Sequence, residues 1–191
     1  MRASYPDYHA RPVSPFGAAR PGLLIVGLAP GMHGANWTGR PFTGDHAGIL
    51  LYDTLRRFGF ANQAVATDIK DGLRLAGCRV TNAVKCLPPQ NTPLPAEIRR
   101  CNPYLRDEIA AMPDGAVILA LGIVAHRAVL MAQGLRPAAY AFHHGARHTL
   151  PHDRTLYDSY HCSRYNTQTR RLTEKMFHAV FNAILQHLTS S

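Results

Sequence analysis

The residues best suited to chemistry cluster in two stretches of the 191-residue chain. The first, Gly27 to Gly48, reads GLAPGMHGANWTGRPFTGDHAG and carries a single acid, Asp45. Its glycines let backbone amides approach a ligand closely, and the helix expected to follow offers an N-terminus that favours negative charge. Asp45 stands just before that helix, where a carboxylate can cap the first turn or act on a bound molecule. A loop of this length is usually functional, although a flexible surface loop would read the same way. The second stretch, His161 to Thr173, reads HCSRYNTQTRRLT and brings a histidine, hydroxyls and arginines. Between them lies LPPQNTP with Asn91. Its prolines lack N–H donors, so it is neither helix nor central strand.

These loops need elements to hold them. Leu23-Leu24-Ile25-Val26 is an apolar run that predicts a buried strand ending at Gly27, and His46 to Phe58 has the spacing of an amphipathic helix. Residues 59 to 78 show no clear period. Further strands are expected at Arg79–Cys86, Ala116–Leu121 and Thr155–Tyr160, with a small hairpin inside Tyr140–Leu150. Helices are expected from Pro95 to Met112, from Gly122 to Gln133, and from an N-cap at Thr173 to Leu188. Alternation of this kind predicts an α/β fold, a three-layer α/β/α sandwich with a central four-stranded, mostly parallel sheet. Residues 1–22 read as an irregular N-terminal arm of a single domain covering 1–191. In such sheets ligands bind beyond the carboxyl ends of the strands, which is where the three polar loops begin.

Composition narrows the partners. Lys and Arg exceed Asp and Glu by nine charges, which favours a polyanion, most often nucleic acid. No apolar run reaches the roughly 18 residues of a membrane span, and the N-terminus has no apolar signal core. The expectation is a soluble, cytoplasmic monomer with no membrane partner. The four cysteines, Cys78, Cys86, Cys101 and Cys162, form no C-x-x-C and suggest no disulfide framework. No Gly-Lys-Ser/Thr phosphate loop is present.

Three motifs together resemble the uracil-DNA glycosylase superfamily, in the form of its fifth family, type b. They are Gly27-Leu28-Ala29-Pro30 through Gly44-Asp45, Thr81-Asn82-Ala83-Val84-Lys85-Cys86 with Pro88-Pro89 and Asn91, and His161-Cys162-Ser163 with Asn166-Thr167. The similarity runs from about Tyr5 to the last helix. It implies hydrolysis of the N-glycosidic bond of deoxyuridine in single- or double-stranded DNA by base flipping, leaving an abasic site for base excision repair. A non-catalytic sensor of uracil or abasic sites is the alternative, because many superfamily members place an acid where this chain has Ala29.

By that resemblance His161 donates to uracil O2, and Asp45 orients water or stabilises the cationic sugar, with Asn91 as a second water-holding group. Asn82 reads the uracil edge and Phe42 stacks on the base, beside the backbone of Gly27, Leu28 and Ala29. His33, Gly34, Asn36, Ser163, Arg164 and Tyr165 are expected to contact DNA. Trp37, the one tryptophan, stands where relatives usually carry Arg; it can stack on a base or pack the loop. Family members typically hold an iron–sulfur cluster through four Cys. Only Cys86 and Cys101 match, so no metal and no cofactor are expected.

Overall fold

In the computed structural model, which describes residues 5–190, the apolar runs form the centre of a six-stranded sheet. The strands are β1 (Phe16–Gly17), β2 (Leu23–Gly27), β3 (Cys78–Asn82), β4 (Val117–Leu121), β5 (Arg147–Thr149) and β6 (Thr155–Ser159). They lie in the order β1-β3-β2-β4-β6-β5. The inner four are parallel, and the two short outer strands pair antiparallel. The expected sheet of four strands is therefore corrected to six. The arm is not wholly irregular either, since Phe16–Gly17 pairs with Val80 and Arg79; residues 1–4 of the arm lie outside the described residues.

Alternation along β2 explains the layers. Leu23 and Ile25 face one core with α2 (His46–Arg57) and α6 (Glu174–Ser190), through Leu51, Leu55, Phe177 and Phe181. Leu24 and Val26 face the other core with α3 (Pro95–Ala110) and α4 (Ile123–Ala132), through Leu105, Ile109, Ala125 and Val129. With both faces covered, every residue of β2 is buried. Two short helices, α1 (Ala35–Thr38) and α5 (Arg164–Gln168), lie inside the first and last of the polar loops. Among the described residues no helix is long and apolar enough to cross a membrane.

The second strand was expected to reach Cys86 but ends at Asn82. The backbone then bends, and Ala83 and Val84 donate singly to the carbonyls of Gly27 and Leu28. Lys85 turns back beneath the bend. Its buried Nζ donates to Thr81 Oγ1 (2.5 Å), the Asn82 carbonyl (3.0 Å) and Glu108 Oε1 (2.7 Å). A lysine that reads as surface charge in sequence thus fixes the strand end that carries Asn82.

Candidate active site at the strand rim

Gly27 and Asn82 are paired in register at the carboxyl ends of β2 and β3. A Cβ on Gly27 would lie 2.4 Å from the Phe42 ring and 2.5 Å from Asn82 Oδ1, so only glycine fits there. Phe42 is buried, with a left-handed backbone at φ 55°, a conformation that costs a non-glycine residue on the order of 1–2 kcal/mol. That strain aims its ring across Gly27 and onto His161, at 5.9 Å between ring centroids and 25° between planes. Gly27 and Asn82 from two strand ends, with Phe42 and His161 from two loops, therefore meet at one point.

The polar groups at that point are poorly solvated. Asn82 is buried, and its Oδ1 has no hydrogen-bond partner among the described residues. An orphaned acceptor of this kind costs about 1–3 kcal/mol unless a ligand donates to it. Burial pushes the His161 imidazole down to about 4, so the ring is neutral near pH 7 and keeps one N–H to donate. The His161 backbone is held from behind: its carbonyl accepts from Asn166 Nδ2 at 2.8 Å, and Cys162 is fully buried in the core. His161 also lines a cavity of about 240 Å³ with Leu28, Gly122, Phe142, Tyr160 and Arg171.

Asp45 is the N-cap of α2, with Oδ1 accepting from the Gly48 amide at 3.0 Å. Its other oxygen, Oδ2, faces the turn of the first loop; a Cβ on Gly34 would approach it to 2.9 Å. Burial raises the Asp45 carboxyl, and the amides of Gly48 and Ala47 oppose that rise. One oxygen is thus structural and the second points at the loop that faces the site.

The remaining expected residues divide. Leu28 lines the cavity with His161, while Ala29 is half-buried just beyond β2. Ser163 caps α5 by accepting from the Asn166 amide, and Arg164 and Tyr165 project outward, Tyr165 being 69% exposed. His33 is exposed, its Nδ1 2.7 Å from the Tyr8 hydroxyl. Asn36 is a correction: it is buried, with its carbonyl accepting from Ala10, because the arm crosses over α1 and takes it off the surface expected of a DNA contact. Asn91 is exposed, and its Oδ1 accepts from the Met32 amide at 3.2 Å, tying the second loop to the first.

Three supports escaped the sequence. Arg40 is buried and binds Asp71 through both guanidinium ends (2.9 and 2.5 Å), while its Nε donates to Thr43 Oγ1. Behind β6, His126 lies 2.8 Å from Asp158 through Nδ1 and 3.0 Å from the Tyr140 carbonyl through Nε2; His148 reaches the other Asp158 oxygen at 3.1 Å. This network ties segment 140–149, which supplies Phe142, to the strand that leads into His161; the small hairpin expected inside Tyr140–Leu150 is corrected, since its one strand, β5, pairs with β6 instead. His126 and His148 with Asp158 also have the spacing of metal ligands, but His126 already spends both ring nitrogens on protein acceptors. The third support is the arm itself, bonded from His9 and Ala10 to Trp37 and Asn36. Each pairing spans a long stretch of sequence and carries no local signal.

Cys86 and Cys101 line one cavity of about 340 Å³ with Lys85, Glu108 and the arm at Pro12–Pro15. Cys78 is buried in β3 with its thiol pushed up to about 12 by burial, and Cys162 is sealed in the core. The thiols of the described residues do not fit a four-thiolate cluster, which would need all four around one cavity.

The family model "UDG: Uracil DNA glycosylase superfamily" matches residues 14–185. A type-5 uracil-DNA glycosylase of Thermus thermophilus is 48% identical over 170 residues, 89% of this chain and 77% of that protein. Its namesake in Mycobacterium bovis is 43% identical over 91% of this chain, which spans 66% of that longer protein. A type-4 uracil-DNA glycosylase of Pyrobaculum aerophilum is more distant, at 35% over 68% of this chain. Among solved structures, that of Pedobacter heparinus SMUG2 shares the fold, with a TM-score of 0.54 at 14% identity over 90% of this chain and 77% of that one.

Proposed function

The chain belongs to the uracil DNA glycosylase superfamily, and from that premise we propose that it hydrolyses the N-glycosidic bond of deoxyuridine in DNA. The observation that carries the reading is the orphaned, buried Asn82 Oδ1 beside the Phe42 and His161 rings. Uracil presents an N3–H donor next to its O4 acceptor, so a carboxamide satisfies both and leaves no buried group unpaired. Cytosine has an acceptor at N3 and an amino group at C4, and would face the amide the wrong way round.

The bond between N1 of the base and C1′ of the sugar breaks with both electrons leaving on uracil. The anion gathers at O2, where the neutral His161 N–H donates; a buried donor of that kind is worth far more than one in water. The cationic sugar is offset by the Asp45 carboxylate; water adds to C1′ as its proton passes to that carboxylate, and exchange with solvent returns a proton to the departing uracil anion. The products are free uracil and an abasic site. Lys85, next to Asn82 at the strand end, does not enter this scheme, because it is bound to Glu108, Thr81 and the Asn82 carbonyl. The reaction therefore stops at base removal, in base excision repair, with the chain acting as a cytoplasmic monomer. The cysteine arrangement supports a protein that works without an iron–sulfur cluster, which iron and sulfide analysis of the purified protein tests.

An end-labelled oligonucleotide with one uracil, treated with the protein and then alkali, tests the activity. Cleavage at the uracil is the expected result. Retention of the oligonucleotide without cleavage would make the chain a binder of uracil rather than an enzyme.

A further inference from the structure

Trp37 is the one tryptophan of the chain, and at the end of α1 it stays 48% exposed. Its ring lies 6.2 Å from that of Tyr8, which in turn meets Tyr5 at 4.7 Å and the His33 ring edge-on at 6.0 Å. The cluster is rigidly held. The Tyr8 hydroxyl is 2.7 Å from His33 Nδ1, His9 donates to the Trp37 carbonyl, and Gly39 is pressed so close that a Cβ there would sit 2.9 Å from the His9 ring. Between the arm and α1 runs an open groove of about 480 Å³, lined by Tyr8, His9, Arg11, Trp37 and Ile69, with Asp7 as its one acid.

This groove adjoins the proposed active site. Thr38, next to Trp37, donates to the Thr43 carbonyl and packs against Gly44, the residue before Asp45. Pinning the arm would be served best by burying the indole. Instead the backbone bonds do the pinning, and half of the ring faces water.

We propose that Trp37 and Tyr8, with Arg11, form a second DNA subsite that stacks an unpaired base neighbouring the nucleotide held at His161. A flat apolar ring recognises the face of a base, and that face is free only where the base has left the duplex stack. Arg11 supplies the cation that a flanking phosphate requires. The chain's net charge of +9 favours the same occupant over an apolar peptide. This inference rests on the glycosylase reading, and its consequence is tighter engagement of single-stranded or frayed DNA than of closed duplex.

The single tryptophan reports on its own site. Its fluorescence is titrated with a uracil-free single strand, with the duplex of the same sequence, and with a strand of abasic residues that keeps the phosphates. The full single strand should quench the emission, and the abasic strand and the duplex should not. Trp37→Ala should weaken single-strand binding by about 5- to 150-fold, the range that stacking one base supplies. Trp37→Phe should recover most of that loss. Excision of uracil from duplex by Trp37→Ala should stay within about twofold of wild type. Emission unmoved by the single strand, or equal binding by wild type and Trp37→Ala, overturns the subsite. Should Trp37→Ala fail to fold, Arg11→Ala, exposed and outside the aromatic packing, must still lower single-strand affinity. Failure of wild type to excise uracil from duplex would defeat the glycosylase reading separately, because the fluorescence arm needs no turnover.

Discussion

Two aspartates lie under the same loop and are treated in opposite ways. Asp71, behind it, is gripped by the Arg40 guanidinium; burial alone would raise its carboxyl, but Arg40 and the amides of Leu73 and Thr67 hold it far below the ordinary range. Asp45, in front, is lowered only by the amides of Gly48 and Ala47 and by the neighbouring His46, and burial outweighs them and raises its carboxyl. The rear of the loop closes its charge account locally, whereas the front leaves charge and hydrogen-bonding capacity open. Asn82 Oδ1 and the neutral His161 belong to that open side. The satisfied ion pair thus lies behind the loop, and the unpaired acceptor and the neutral imidazole lie in front of it.

Breaking the rear pair should produce the largest change. Asp71→Asn leaves Arg40 buried without a counter-charge, at a cost of about 3–5 kcal/mol in stability. Thermal melting should fall steeply, while the folded fraction excises uracil close to the wild-type rate. The front should answer in reverse. His161→Ala removes a donor to the leaving anion and should slow single-turnover excision by about 10²–10³-fold, with affinity for abasic DNA retained. Asp45→Asn should slow excision by about 10²-fold with melting unchanged, because the amide oxygen still accepts from Gly48. Asp45→Ala would lose the cap as well, about 1 kcal/mol, and so mix the two effects. Should Asp45→Asn excise at the wild-type rate, Asp45 is a cap and the contrast between the two aspartates is one of stability alone.

Smaller effects sharpen the same contrast. Asn82→Asp should relax the choice of uracil over cytosine, read as the ratio of excision rates on the two bases. The pH dependence of stability should have opposite slopes at the two carboxyls. The depressed Asp71 stabilises the fold above its unfolded value near 3.8, and that contribution is lost as pH falls toward its folded value. The raised Asp45 keeps its proton longer in the folded state, so its contribution to stability declines as pH rises from 3.8 through its folded value. Melting of Asp71→Asn and Asp45→Asn across acid pH, each against wild type, separates the two slopes.

The parts that read directly from sequence are those whose cause is local. Leu23–Val26, Val117–Leu121 and the periodic helices declare themselves by burial pattern, and Asp45 before His46 declares a cap. The edge strands do not: Phe16–Gly17 and Arg147–Thr149 are too short to show a period and exist because β3 and β6 offer free edges. Arg40 with Asp71, Lys85 with Glu108 and His126 with Asp158 are equally silent, since a buried polar pair looks like two surface residues until the fold joins them. The motifs named Gly27, Phe42, Asn82 and His161, and the structure brings these four residues together. Asn36 misled because its burial depends on an arm some 26 residues earlier in the chain, counted from Ala10 to Asn36.

The two-residue strand β1 has a consequence for how copies of this protein behave toward each other. Gly17 sits against β3 so tightly that a Cβ would meet the Cys78 carbonyl at 2.3 Å, and Arg79 Nε clasps the Ala18 carbonyl beside it. This short cover is what keeps the outer backbone groups of β3 from pairing with a strand of another molecule. Any side chain at Gly17 would lift the cover without touching the rim of the sheet. The damage would then surface as self-association that grows with concentration, in a protein whose individual molecules still hold an intact site.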